Sequence, residues 1–425
     1  MKDISSTGSF IDFTLENYIY VDKTEYIPQL VKLKRVFISR PRRFGKSLTL
    51  DTIATLFESG VEPYFKGTWI YDKWTEPTYP VFRLSFLNLD NSSMDLFKKQ
   101  LNSKITEFAN KISVKGYVEK TEPEDSILSL LEKLEEETRQ IVILIDEYDY
   151  QLTSNINNDE LYKQFQQKIK RIYANIKDKF AIKFLGITGV TRLKDVAIFS
   201  VGSDIRDITN SSAYSQMIGF TRDEIKKFYI DYLKLAASYE NNCSVDDVTD
   251  TQLESLLDRL AKNYDGYCFD EFYKKKVFST WSVNSFFQSI VENKFVFFDE
   301  YWYDNGGLPS ILVNYLKTHE LNIFEYLDKD KFLKVSSDDF KNPTALTTIN
   351  QNVLMCQTGY LTLRSDLKKS STVLLGIPNG EIYKALNRLF ANNIFKGKAD
   401  VTDDQGKNLL EEGTGMISST SLTVL

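Results

Sequence analysis

The stretch "FISRPRRFGKSLTL", residues 37–50, decides how the first half of this chain is read. It closes on Gly45, Lys46 and Ser47, the ending of a phosphate-binding loop, but Arg40 stands where such a loop opens on glycine. "RVFIS" (35–39) before it is a short apolar run of strand type, and "KSLTLDTIATLFES" after it has helical periodicity. A loop between strand and helix can turn backbone N–H groups inward, place a lysine on phosphates and a hydroxyl on Mg²⁺, and aim the positive end of the helix dipole at the ligand. In this reading Lys46 contacts the phosphates and the backbone from Phe44 to Leu48, through Gly45 and Ser47, cradles them. Without a wider context a GKS tripeptide would also fit a plain strand–turn–helix connection with solvated basic residues.

The second element lies at "QIVILIDEYDY" (140–150), where the most apolar β-branched run of the chain ends in Asp146 and Glu147. A strand tip is where such a site places an aspartate on Mg²⁺, and the following carboxylate is positioned to polarise the attacking water. Ser47 and Asp146 are therefore the candidate metal ligands, and Glu147 the candidate base. "AIKFLGIT" (181–188) is the natural strand to lie between the loop strand and the acidic strand. Its tip residue, Thr188, then either senses the terminal phosphate or bonds its own loop backbone. Asp149 either orients an arginine or caps the next helix.

Composition bounds these readings. The chain has 425 residues, 42% hydrophobic and 26% charged, with 29 Phe and 24 Tyr, which describes an ordinary globular protein rather than a disordered one. A formal net charge of −6 argues against a surface coated for nucleic acid, although "KLKRVFISRPRRFGK" (32–46) contains no acid and forms a local positive field. Cys243, Cys268 and Cys356 are scattered, which excludes a disulfide framework. His319 is the single histidine, so a His-based triad or metal cluster is excluded and chemistry must run on carboxylates, lysines, hydroxyls and bound metal. No apolar run reaches the ~20 residues of a membrane span, and the expected location is cytoplasmic.

Along the chain, strand-like runs at 35–39, 79–89, 141–145 and 181–188 alternate with helical patterns at 93–112, 125–138 and 159–178. This predicts an α/β fold, a P-loop NTPase parallel sheet with helices on both faces, over 1–215. Helical periodicity with N-cap signals at Thr221 and at Thr249 or Asp250 predicts a mainly helical second domain over 216–345. A small α+β segment is expected over 346–395, with "CQTGYLTLRSD" and "STVLLGIPN" pairing as a hairpin and a helix after Pro378. A polar tail is expected over 396–425.

The strings "YVDKTEYIPQLV", "FISRPRRFGKSLTLDTIATLFE", "LIDEYDYQL", "ITGVTRL", "GFTRDEI" and "QTGYLTL", in this order, resemble the bacterial AAA-ATPase-like proteins. The resemblance covers about residues 8–390. It implies ATP and Mg²⁺ as ligands, ATP in preference to GTP, and a loop that carries RPRRFGKS in place of the full glycine pattern. An arginine at 40 restricts a backbone position where glycine would be free; Arg40, Arg42 and Arg43 either clamp phosphate oxygens in compensation, Arg40 and Arg43 being the candidates carried forward, or face solvent or a nucleic acid backbone. Asp22, Lys23 and Thr24 become base-side candidates. Many relatives carry a C-terminal PD-(D/E)XK nuclease-like module. No E-x-K on an apolar strand follows "IPNGEIYKALNRLF", so that module is expected to be absent or cut off. The leading expectation is an Mg-dependent ATPase of AAA-like or STAND-like type that couples nucleotide state to domain motion. The alternatives are a nucleotide-gated interaction module with little hydrolysis, and a nucleic-acid-processing ATPase working with a nuclease. A nucleic-acid or protein partner, homo-oligomer formation, and the source of an arginine finger (Arg192, Arg206 or Arg222) are left open.

Overall fold

The structure of the protein, a computed structural model, describes residues 1–193, 204–302, 310–316, 319, 325–343 and 345–394. The expected tail at 396–425 lies outside them. Strand β1 (Arg35–Ser39) follows helix α1 (Ile27–Leu33) and leads into α2 (Lys46–Ser59). Then come β2 (Val81–Ser85), α3 (Met94–Lys111), α4 (Pro123–Glu136), β3 (Ile141–Asp146), α5 (Asp159–Ile176), β4 (Ile182–Gly189) and β5 (Arg206–Asp207). The five strands form one parallel sheet in the order β2-β3-β4-β1-β5. The strand read at 181–188 thus lies between loop strand and acidic strand, as its sequence predicts. The two-residue β5 was not foreseen, because "RD" has no strand-like pattern of its own.

Helices cover both faces, which is why β3 is continuously apolar from Ile141 to Ile145 instead of alternating. Phe82, Ile143 and Leu185 are register partners and share one face. There Phe82 meets Phe108 of α3 with ring centroids 5.0 Å apart. Val142 and Phe184 share the other face, and Phe57 of α2 stacks on Phe184 at 6.0 Å.

A second cluster is helical: α6 (Arg222–Phe228), α7 (Ile230–Asn241), α8 (Asp250–Tyr264) and α9 (Thr280–Asn293). Reciprocal capping boxes start two of these helices, Thr221 with Glu224 and Thr249 with Gln252. Leu233, Leu256, Leu257, Phe286 and Phe287 fill its core together with Ile19 and Val21 of the N-terminal segment.

Strands β6 (Leu333–Ser336), β7 (Thr362–Leu363) and β8 (Thr372–Gly376) form a small antiparallel sheet, order β6-β8-β7, flanked by α10 (Gln351–Thr358) and α11 (Gly380–Ile394). The two stretches read as a hairpin do pair, and the helix after Pro378 is α11. This sheet shares one continuous core with the parallel sheet. One close approach falls at Gly359, at the end of α10, whose φ is 94° and where a Cβ would stand 2.9 Å from the Cβ of Pro41. Both the backbone conformation and the space require glycine there.

Glu381 of α11 ties these parts together from a buried position. Its carboxylate accepts from Ser282 Oγ of α9 at 2.8 Å and from Trp302 N at 2.7 Å. Burial pushes its pKa up to about 8. The unfolded chain releases that proton near the ordinary value, about 4.3. Between these values the folded state binds the extra proton, so this contribution to stability is complete below the lower value and declines as pH rises through the upper one. Glu381→Gln removes the titration. Urea midpoints at about pH 5.5 and about pH 8.5 are expected to fall at the higher pH for the wild type, and to fall less for the variant. None of the described helices is long and apolar enough to cross a membrane.

Candidate nucleotide site

The site forms where β1, β3 and β4 end side by side. Parallel pairing sets Ile38 opposite Thr188 and Ile145 opposite Ile187, so the loop after β1, the acids after β3 and the tip of β4 meet at one sheet edge. The loop turns through left-handed conformations at Arg43 (φ 69°) and Gly45 (φ 97°) before α2 begins at Lys46. Lys46 is buried, and its Nζ donates to the carbonyls of Arg40 and Pro41, both at 2.9 Å. Burial lowers the Lys46 pKa, while Asp146, Glu147 and Asp149 act to raise it.

Asp146 is the junction of the site. Ser47 Oγ donates to one carboxylate oxygen at 2.5 Å, and Thr188 Oγ1 and Glu147 N donate to the other, the latter at 2.9 Å. Of the two readings of Thr188, the hydroxyl is engaged with the acid rather than with its own loop. Two hydroxyls and a carboxylate are hard oxygen donors of the kind Mg²⁺ takes, completed by water and phosphate oxygens. Among the described residues no group of three or more His, Cys, Asp or Glu is arranged to hold a metal alone.

Glu147 has φ 49°, a conformation disfavoured for a non-glycine residue. Its Oε2 is buried with no hydrogen-bond partner among the described residues. Burial raises its pKa and Lys46 lowers it. Asp149 stands at the N-cap position of the short helix Tyr150–Ser154, but its side chain makes no cap hydrogen bond there. It accepts from Thr191 N and Thr191 Oγ1, both at 2.6 Å, and from Val190 N, so it fixes the loop after β4.

The arginines resolve the puzzle of the missing glycine, and one of them corrects the expectation. Left-handed backbone is used at 43 and 45 and not at 40, so position 40 does not call on the freedom of glycine. Nor does Arg40 face the phosphates. Its guanidinium is 1% exposed, donates to the carbonyls of Ser39 (2.9 Å), Thr209 (2.6 Å) and Tyr214 (3.4 Å), and lies 4.1 Å from the centroid of Phe269. Burial there pushes its pKa down to about 9. Arg40 braces the loop from behind. Arg43 stacks on Trp281 at 4.5 Å and donates to the Tyr301 carbonyl at 3.4 Å, while its own carbonyl accepts from Thr280 Oγ1 at 2.8 Å. Phe44 is buried edge-on to Tyr267. Among the finger candidates, Arg192 pairs with Asp207, Arg222 pairs with Glu254 and Asp258 in the helical layer, and Arg206 is exposed on β5.

A mainly apolar pocket adjoins Gly45 and the first turn of α2, lined among others by Tyr20, Val21, Tyr26, Leu48, Met217 and Ile218. Lys23 also lines it, and donates to the Gln216 carbonyl at 2.7 Å and to Glu224 at 2.6 Å. Asp22 and Thr24 instead bond each other and the backbone of Trp69 and Ile70, the work of a turn. Met217 and Ile218 were not singled out from sequence. Their only signal was their place immediately before "GFTRDEI".

Arg40→Ala leaves the carbonyls of Thr209 and Tyr214 buried without their donor. It is expected to lower stability by roughly 2–4 kcal/mol, and Arg40→Lys to recover only part, since an ammonium lacks the guanidinium fork. Chemical denaturation measures this. Unchanged stability with weakened nucleotide binding would return Arg40 to the phosphates.

Comparison with known proteins finds the following similarities. Residues 5–199 match the family model described as "Predicted AAA-ATPase". The "Uncharacterized protein in vnfD 5'region" of Azotobacter chroococcum mcd 1 is 27% identical over 401 residues, covering 92% of this chain and 70% of that protein. The crystal structure of Cdc6p from Pyrobaculum aerophilum aligns over 88% of this chain and 95% of its own, at 12% identity and a TM-score of 0.28. Over residues 5–199, a little under half of its length, the chain is thus similar to the AAA-ATPase-like family.

Proposed function

We propose that this ATP-binding protein is an Mg²⁺-dependent ATPase whose nucleotide state is felt by the helical layer and the C-terminal sheet. The observation that carries the reading is the meeting of Ser47, Asp146 and Thr188 beside Lys46. Lys46 and the backbone from Phe44 to Leu48 would hold the β- and γ-phosphates, with the base in the pocket beside Tyr20 and Met217. Ser47 and Asp146 would hold Mg²⁺, which supplies charge neutralisation at the phosphates when bound. Thr188 orients Asp146 and faces the terminal phosphate. Glu147, held partly desolvated with a raised pKa, takes the proton of the attacking water.

Coupling to motion rests on contacts that leave the loop in two directions. Thr280 and Trp281 of α9 donate to the Arg43 carbonyl, at 2.8 Å and 3.3 Å. On the other side Gly359 packs on Pro41, and Gln357 bonds both the N–H and the carbonyl of Arg192, at 3.2 Å and 3.3 Å. A shift of the loop or of the segment after β4 therefore meets both neighbours. The same contacts favour the second reading, a nucleotide-gated interaction module in which hydrolysis is slow and the C-terminal part reports the loop's state.

Two variants separate these readings. Lys46→Ala is expected to weaken Mg-ATP binding by about ten- to a hundredfold in calorimetry. Glu147→Gln is expected to retain binding while phosphate release falls at least about a hundredfold. Wild-type binding with negligible phosphate release favours the gated module, and unchanged turnover in Glu147→Gln removes that residue as base.

A further inference from the structure

We infer that Arg42 is the loop's own cation for the terminal phosphate, an arginine finger supplied within the chain; this rests on the ATP reading above. Three arginines precede Gly45, and the fold commits two of them elsewhere. Arg40 is sunk among the carbonyls of Ser39, Thr209 and Tyr214, and Arg43 lies on Trp281. Arg42 stands in the turn between Pro41, whose carbonyl holds Lys46 Nζ, and the left-handed Arg43. It is only partly buried, and among the described residues no hydrogen bond, ion pair or aromatic face engages its guanidinium.

Its surroundings say what it awaits. Two residues separate Pro41, whose carbonyl holds Lys46 Nζ, from Phe44, so Arg42 sits in the same turn that closes over Lys46, and its charge acts on Lys46, Arg43 and Glu147. Cations gathered in one loop repel one another, and Asp146 and Glu147 across the site draw them; a ligand carrying several negative charges adds attraction on the loop's side. A terminal phosphoryl group between Lys46 and Glu147 is such a ligand. A guanidinium presents a planar fork suited to two of its peripheral oxygens.

In hydrolysis the water oxygen bonds to the γ-phosphorus while the bond from phosphorus to the β–γ bridging oxygen breaks, its electron pair leaving with ADP. The water proton passes to Glu147. Arg42 transfers no proton and stabilises the charge that gathers on the peripheral oxygens. Because this cation belongs to the chain that binds the nucleotide, no neighbouring copy is needed to complete the site.

Arg42→Ala and Arg42→Lys test this against wild type in two measurements: calorimetric affinity for Mg-ADP and for a non-hydrolysable Mg-ATP analogue, and phosphate release over a wide range of chain concentration. For Arg42→Ala the expected results are ADP affinity within about twofold of wild type, loss of about tenfold or more in affinity for the ATP analogue, and turnover lower by about a hundredfold or more. Arg42→Lys recovers part of each. Wild-type turnover per chain stays constant with concentration, and adding Lys46→Ala chains, which retain Arg42, does not restore Arg42→Ala. Wild-type behaviour of Arg42→Ala, or rescue by the added chains, overturns the inference and leaves the ATP reading standing. Failure of the wild type to bind either nucleotide overturns both.

Discussion

The site depends on one carboxylate being held by hydroxyls from two different strands' ends. Asp146 accepts from Ser47, in the first turn of α2 after β1, and from Thr188 at the tip of β4. Neither bond is local in sequence. Both exist because β4 is inserted between β1 and β3 in parallel register, which brings three chain reversals to the same edge of the sheet. Buried side chains on both faces of that sheet fix the register, since a slip of one residue would turn Phe82 and Phe184 away from their helices.

The loop itself is kept in shape by groups that never reach its open side. Arg40 fastens it from below to the segment around Thr209 and Tyr214, and Lys46 closes it from within through two backbone carbonyls. Left-handed conformations at Arg43 and Glu147 persist because neighbours hold them: the donors of α9 on the Arg43 carbonyl, and Asp146 on the Glu147 N–H. A conventional loop uses glycines to remain compliant. Here a buried guanidinium and a stacked one replace compliance with support, which leaves Arg42 as the arginine of the three with no hydrogen bond or ring contact among the described residues.

Support from outside also links the loop to the rest of the chain. Pro41 meets Gly359, and the segment after β4 is gripped by Gln357, so the C-terminal end of α10 touches both the phosphate loop and the segment after β4. The buried Glu381 joins α11 to α9 and to Trp302 at the same junction. The C-terminal sheet is continuous in packing with the parallel sheet.

Sequence by itself determined the elements whose signal is local. The GKS ending, the apolar run into Asp146 and Glu147, and the Thr221 and Thr249 caps each depend on residues within a few positions of one another. The place of β4 was legible too, because an acidic pair after such a run implies an inserted strand. Tertiary structure decided what each charged side chain faces. Arg40, Arg42 and Arg43 are equivalent in sequence, and nothing within the loop distinguishes a guanidinium that will be buried from one that stays open. That choice was made by Thr209, Tyr214, Phe269 and Trp281, residues that lie more than a hundred and fifty positions away and become neighbours only when the sheet and the helical layer close.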